Sequence, residues 1–240
     1  MLPLLLGLAV GVAASAMGLG GGFLLVPAFH LLLGLDVKAA VGTSLLVIPF
    51  LSGSAALSYW RRGLVRVRLA LLFELGSIPG AYLGSLLCSI LPQEWVGRAF
   101  SALLLYVAWR MWRGAEPEGG PPVSAGSWAV PLLGLGAGVV SGLLGVGGGI
   151  VKVPVMRLLM GLSMHEAVAT SSFMILMTST AGALSHVALG SPDMVAALAT
   201  APAAVLGAQL GSRLSVRVRG GRLSRAFSVL LAATAVRMAL

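Results

Sequence analysis

Lys152 is the one cation set well inside an apolar run of this 240-residue chain, three residues after Gly147-Gly148-Gly149. An ammonium there can neutralise a bound anion, or it can reach an interface on its long stem. Charges inside membrane-type segments are functional candidates. Two hydroxyl pairs, Thr43-Ser44 and Thr170-Ser171, open later apolar segments. Hydroxyls recognise oxyanions without burying another full charge, and the same residues also cap helices. Glu74 lies six residues past Arg68. Pairing with an arginine near the interface is the favoured reading, with coupling to a proton or sodium ion as the alternative. His186 and Gln209 are candidate path-lining residues. There is no Ser/His/Asp set, metal-ligand spacing or phosphate-binding loop, so neither enzyme chemistry, a cofactor nor an ATP-driven pump is expected.

These residues cluster around a repeated element. Gly20-Gly21-Gly22 precedes Phe23-Leu24-Leu25-Val26-Pro27, and Gly147-Gly148-Gly149 precedes Ile150-Val151-Lys152-Val153-Pro154. Residues 2–35 carry no charge, and an unbroken helix of that length would measure roughly 51 Å. The hydrocarbon core is about 30 Å thick, so the run must break, and it breaks most cheaply at the glycines. Two short helices meeting at a glycine tip leave N–H groups at the start of the second helix free for an anion.

Apolar residues make up 58% of the chain and charged residues 10%, with mean hydropathy +1.00. This is the composition of an all-α polytopic membrane protein. No ten-residue alternating segments point to a membrane barrel. The +9 charge sits mostly at the ends of apolar segments, where it sets topology and meets anionic lipid rather than nucleic acid. Cys88, the only cysteine, reads as a buried small hydrophobe. No basic leader with a cleavage site precedes Leu2, so the first run is expected in the mature protein.

The chain divides into residues 1–112, a Pro/Gly/Ser-rich linker 113–127 expected in the cytoplasm, and residues 128–240. Segments are expected at 1–17, 23–33, 39–60, 64–91, 96–112, 128–144, 150–162, 167–189, 194–214 and 223–240. Glu74 and Pro79 interrupt the fourth, and Tyr59-Trp60 forms an interfacial pair ahead of Arg61-Arg62. Shifting residues 11–58 by 127 positions gives 21 identities in 48 without a gap. Beyond that, Pro79 and Gly84 match Pro202 and Gly207 once four residues are dropped. The loop after 39–60 holds Arg61, Arg62, Arg66 and Arg68, whereas its counterpart near 189–193 has one acid and no base. The next loop reverses the bias, with Arg213, Arg217, Arg219, Arg222 and Arg225 in the second half. Basic loops stay cytoplasmic, so the halves are expected to be inverted-topology repeats of about five helical segments each. The glycine-broken hairpins then meet at the membrane midplane, a secondary-transporter plan.

The duplicated Gly-x-Gly-Gly-Gly, its following proline, and Ala40-Val41-Gly42-Thr43-Ser44 or Ala167-Val168-Ala169-Thr170-Ser171 resemble the TauE/SafE sulfite exporter family across nearly the whole chain. The resemblance implies transport of sulfur-containing anions such as sulfite or sulfonates including sulfoacetate. Together these readings give a multi-pass transporter of the inner (plasma) membrane working by alternating access. Gly20, Gly21, Gly22, Thr43, Ser44, Gly147, Gly148, Gly149, Lys152, Thr170 and Ser171 are its expected anion-binding residues. The lipid bilayer is its expected partner, together with a coupling ion and, as an open case, a second copy in a homodimer. The alternatives are a channel or cation carrier using the carbonyls of the broken helices, and a membrane scaffold without transport.

Overall fold

Nine helices order the chain in the computed structural model, which describes residues 2–112, 128–158 and 160–215. They are α1 (Leu2–Met17), α2 (Gly22–Leu33), α3 (Val37–Trp60), α4 (Val67–Ile90), α5 (Gln93–Trp112), α6 (Ala129–Leu144), α7 (Gly149–Leu158), α8 (Met164–Ala188) and α9 (Met194–Ser215). The described residues include no strand. Helices α3, α4, α8 and α9 are each long and apolar enough to cross a membrane. The segment expected at 223–240 and the linker 113–127 lie outside the described residues.

Both long apolar runs break where the glycines stand. Gly18, Gly20 and Gly21 all have φ between 66° and 82°, and Gly145, Gly147 and Gly148 have φ between 68° and 75°. Only glycine adopts this left-handed backbone without a steric penalty. Helix α2 has 12 residues and α7 has 10, so at 1.5 Å per residue each runs only about 15–18 Å. The two tips meet back to back. A Cβ on Gly22 would collide with the Gly145 carbonyl, and one on Gly149 would stand 2.8 Å from the Gly18 carbonyl.

The halves exchange partners. Helix α1 packs on α9, and α4 packs on α6. Small residues let these backbones approach closely, as in membrane helix pairs generally. Added Cβ atoms on Gly76, Gly80 and Gly84 would strike the carbonyls of Pro131, Leu135 and Val139 on α6. On the other pair, Gly7 and Gly11 face the carbonyls of Thr200 and Ala204, and Gly207 and Gly211 face those of Leu8 and Val12. The contacts are reciprocal at a constant spacing of 127 positions: Gly80 meets Leu135 as Gly207 meets Leu8. The four-residue gap inferred from Pro79 and Pro202 is therefore wrong. Gly80 corresponds to Gly207 and Gly84 to Gly211, and the prolines are simply not equivalent.

Two further expectations change. Helix α4 runs unbroken through Glu74 and Pro79, because the close packing of its glycine face on α6 holds it. Tyr59 is buried rather than interfacial, with its hydroxyl donating to the Ser15 carbonyl at 2.9 Å, whereas Trp60 is half exposed. Cys88 is buried, as expected.

Candidate functional site: a buried ion pair beside the second glycine tip

Helix α4 presents Glu74 and Ser77 on one face, three residues apart and one turn along. Helix α7 begins at Gly149, so Lys152 stands in its first turn, and α8 supplies Thr178. The Lys152 ammonium donates to Glu74 Oε1 at 2.6 Å and to Thr178 Oγ1. The Thr178 hydroxyl donates to Glu74 Oε2 at 2.6 Å, and Ser77 Oγ lies 3.1 Å from Thr178 Oγ1. Both carboxylate oxygens are thus engaged. Lys152 is 0% and Glu74 1% exposed, so neither charge reaches water. The Phe73 ring lies 6.0 Å from the ammonium.

Glu74 therefore pairs with Lys152 and not with an arginine. The favoured sequence reading fails because the two residues are 78 positions apart and only the packing of α7 between α4 and α8 joins them. The lysine does not snorkel.

Gly148 lies between this pair and Ser141 of α6. A Cβ on Gly148 would stand 3.2 Å from Lys152 Cε and 3.5 Å from Ser141 Cβ. Ser141 Oγ is a buried side-chain oxygen with no hydrogen-bond partner among the described residues. Buried hydroxyls are seldom left so. Shifting by 127 positions pairs Lys152 with Leu25, Glu74 with Ala201, Ser77 with Ala204, Thr178 with Leu51 and Ser141 with Ala14. The polar cluster has only apolar counterparts. Ser77, Thr178 and Ser141 were missed in the sequence, although this same comparison isolates them.

The hydroxyl pairs bind backbone across the halves. Ser44 donates to the Gly145 carbonyl at 2.8 Å, and Ser171 donates to the Gly18 carbonyl at 2.9 Å. Thr43 accepts from the Asp193 N–H at 2.9 Å, and Thr170 from the Arg66 N–H at 3.0 Å. Each half thereby clasps the other half's tip and caps its next long helix. Gly20, Gly21, Gly22, Gly147, Gly148 and Gly149 are all buried at the tips.

His186 is buried, with Nε2 at 3.0 Å from the Gly142 carbonyl and Nδ1 at 2.8 Å from Ser191 Oγ. It occupies the place that Tyr59 takes in the first half. Gln209 is exposed on α9 and joins none of these contacts.

An open cavity of about 550 Å³ lies at one end of α4, lined by residues 65–69, 160–162 and Glu166. Arg66 closes one wall by donating from Nε to Glu166 Oε1 at 2.9 Å. Leu69, on the cavity wall, is five residues before Glu74, about 7.5 Å of helix rise.

The chain matches the family described as Sulfite exporter TauE/SafE over residues 3–238. It is 30% identical to the Probable membrane transporter protein YunE of Bacillus subtilis (strain 168), over 89% of this chain and 88% of that protein. It is 26% identical to the Probable membrane transporter protein YdhB of the same organism, covering 90% of each. A third relative, Probable membrane transporter protein MamO of Magnetospirillum gryphiswaldense, is 35% identical over 52% of this chain and 20% of its own length. No solved structure matches the chain. These relatives are named as membrane transporters, not enzymes, and the helices above form a multi-pass membrane protein. The chain belongs to the sulfite exporter TauE/SafE family.

Proposed function

We propose that this protein is a secondary transporter of small sulfur-containing anions, sulfite or alkyl sulfonates, in the plasma (inner) membrane. Its halves lie in opposite orientations and alternate access around the joined glycine tips. The observation that carries the anion reading is the Lys152 cluster, a buried ammonium beside a glycine tip and an unpartnered hydroxyl, where the other half is apolar. The first N–H groups of α7, which lack intrahelical acceptors, add a partial positive charge at the same place.

The reciprocal contacts at 127-residue spacing support a two-fold relation between the halves. The reversed arginine bias of their loops favours inversion over a parallel duplication. Short α2 and α7 favour tips inside the bilayer, and the Thr43, Ser44, Thr170 and Ser171 clasps are suited to holding those tips while the halves rock. A cation carrier would need free buried carboxylates. The one buried carboxylate among the described residues is Glu74, and it is already engaged.

Proteoliposome flux tests the proposal. Sulfite or sulfoacetate should accumulate inside loaded vesicles, and Na⁺ and K⁺ should not move in the absence of an anion. Cation movement without any sulfur-anion flux would replace this reading with the carrier or channel.

A further inference from the structure

Resting on that reading, we propose that Glu74 is a built-in occupant of the anion site, so that each bound monoanion takes the place of the Glu74 carboxylate and brings one proton onto it. The geometry points this way because Glu74 already makes the contacts an oxyanion would make. Its Oε1 accepts from the Lys152 ammonium at 2.6 Å and its Oε2 from Thr178 at 2.6 Å. A sulfonate has the same charge and the same paired-oxygen edge as a carboxylate, with a third oxygen to spare. Ser141, unpartnered on the far side of Gly148, offers that third oxygen a donor.

A second anion cannot simply join the first. Two carboxylate-like charges on one ammonium, sealed from water, would leave one of them uncompensated, at a cost of several kcal/mol. Neutralising Glu74 removes the conflict. A proton from water binds a Glu74 oxygen, the carboxyl stays hydrogen-bonded through Thr178, and Lys152 turns to the incoming anion. The net charge of the cluster is zero before and after, so no bare charge is exposed to the apolar core.

Among the described residues no other charged group is recorded in contact with Glu74. Helix α6 carries none along its length. On α8 the nearest titratable group is His186, held by the Gly142 carbonyl and Ser191, while Glu166 lies at the far end with Arg66. On α4 itself, Arg68 stands six residues away beside the open cavity.

Methanesulfonate is a suitable probe, because it stays a monoanion throughout the working range. Its binding to the purified wild type should weaken about tenfold per unit of rising pH, and about one proton should be taken up per anion bound. Proton uptake is read by repeating calorimetric titrations in buffers of different ionisation enthalpy. Glu74→Gln should bind methanesulfonate with little pH dependence, more tightly than wild type at neutral pH, and its melting temperature should rise more on adding the anion. Wild-type binding that is flat with pH and takes up no proton overturns the inference but leaves the anion reading standing. So does Glu74→Gln that is folded, at its own lower melting temperature, yet binds more weakly. Should Glu74→Gln not fold, the wild-type proton count decides alone. Absence of methanesulfonate, sulfite and sulfoacetate binding at every pH overturns both.

Discussion

Removing one end of the Lys152–Glu74 pair should do far more harm than removing both. Lys152→Met keeps the apolar stem but leaves the Glu74 carboxylate, 1% exposed, with only the Thr178 hydroxyl for support. Breaking a fully buried pair in this way costs about 3–5 kcal/mol. Glu74→Gln strands the ammonium in the same surroundings and should cost a similar amount. The double variant strands nothing, since Met fills the lysine's volume and Gln still accepts from Thr178, so it should lie within about 1–2 kcal/mol of wild type. Thermal melts in detergent read the difference: at about 2–4 °C per kcal/mol for a chain of this size, each single variant loses about 6–20 °C. The Lys152→Met deficit should also shrink on acidification, because a protonated carboxyl needs no counter-charge. A double variant as unstable as the two singles combined would refute the pairing and place the two groups in separate environments.

Other changes probe the surroundings. Ser141→Ala should leave melting within about 0.5 kcal/mol of wild type, as no described residue pairs with the hydroxyl, yet weaken methanesulfonate binding several-fold in titration. Gly22→Ala should prevent the tips from meeting and abolish folded protein on size exclusion. Gly136→Ala, with open space around it, should be neutral or stabilise α6 by up to about 1 kcal/mol. Ser44→Ala and Ser171→Ala should each cost about 0.5–1.5 kcal/mol and match one another, as their bonds are reciprocal; a large inequality in their melts would contradict that. Reporter fusions should place Arg66 and Arg219 on the cytoplasmic side and Leu240 outside, and a cytoplasmic Leu240 would reject inversion.

Local rules made the breaks legible in the sequence. A run too long for one span containing three adjacent glycines has few other solutions, and α2 begins at Gly22, one residue from the expected start. The burial of Lys152 followed from the same geometry. Its partner did not, because helical periodicity relates residues within a helix and says nothing of which helices touch. Glu74 was read against Arg68, its neighbour on the same helix, when the ion that mattered came from α7. The hydroxyl pairs show another limit. Thr43 and Thr170 do cap helices, as one reading had it, but the helices are α9 and α4, whose capped residues Asp193 and Arg66 lie 150 and 104 positions away. The false gap came from trusting prolines, which α4 and α9 tolerate wherever packing allows. The glycines that touch a carbonyl on the partner helix kept the true register.

The exchange of partners between halves bears on how the chain is made. Helix α1 leaves the ribosome ahead of the other described helices, but the helix that covers its glycine face, α9, begins only at Met194, about 180 residues later. At about 5–20 residues per second, that face waits roughly 10–35 s during synthesis. Until then lipid or an insertion factor must sit against Gly7 and Gly11, and the first tip has no second tip to lean on. Helix α4 waits for α6 over a much shorter stretch. Assembly thus closes from the middle of the chain outwards, and a nascent protein cut short before α9 carries an uncovered helix face that membrane quality control can recognise.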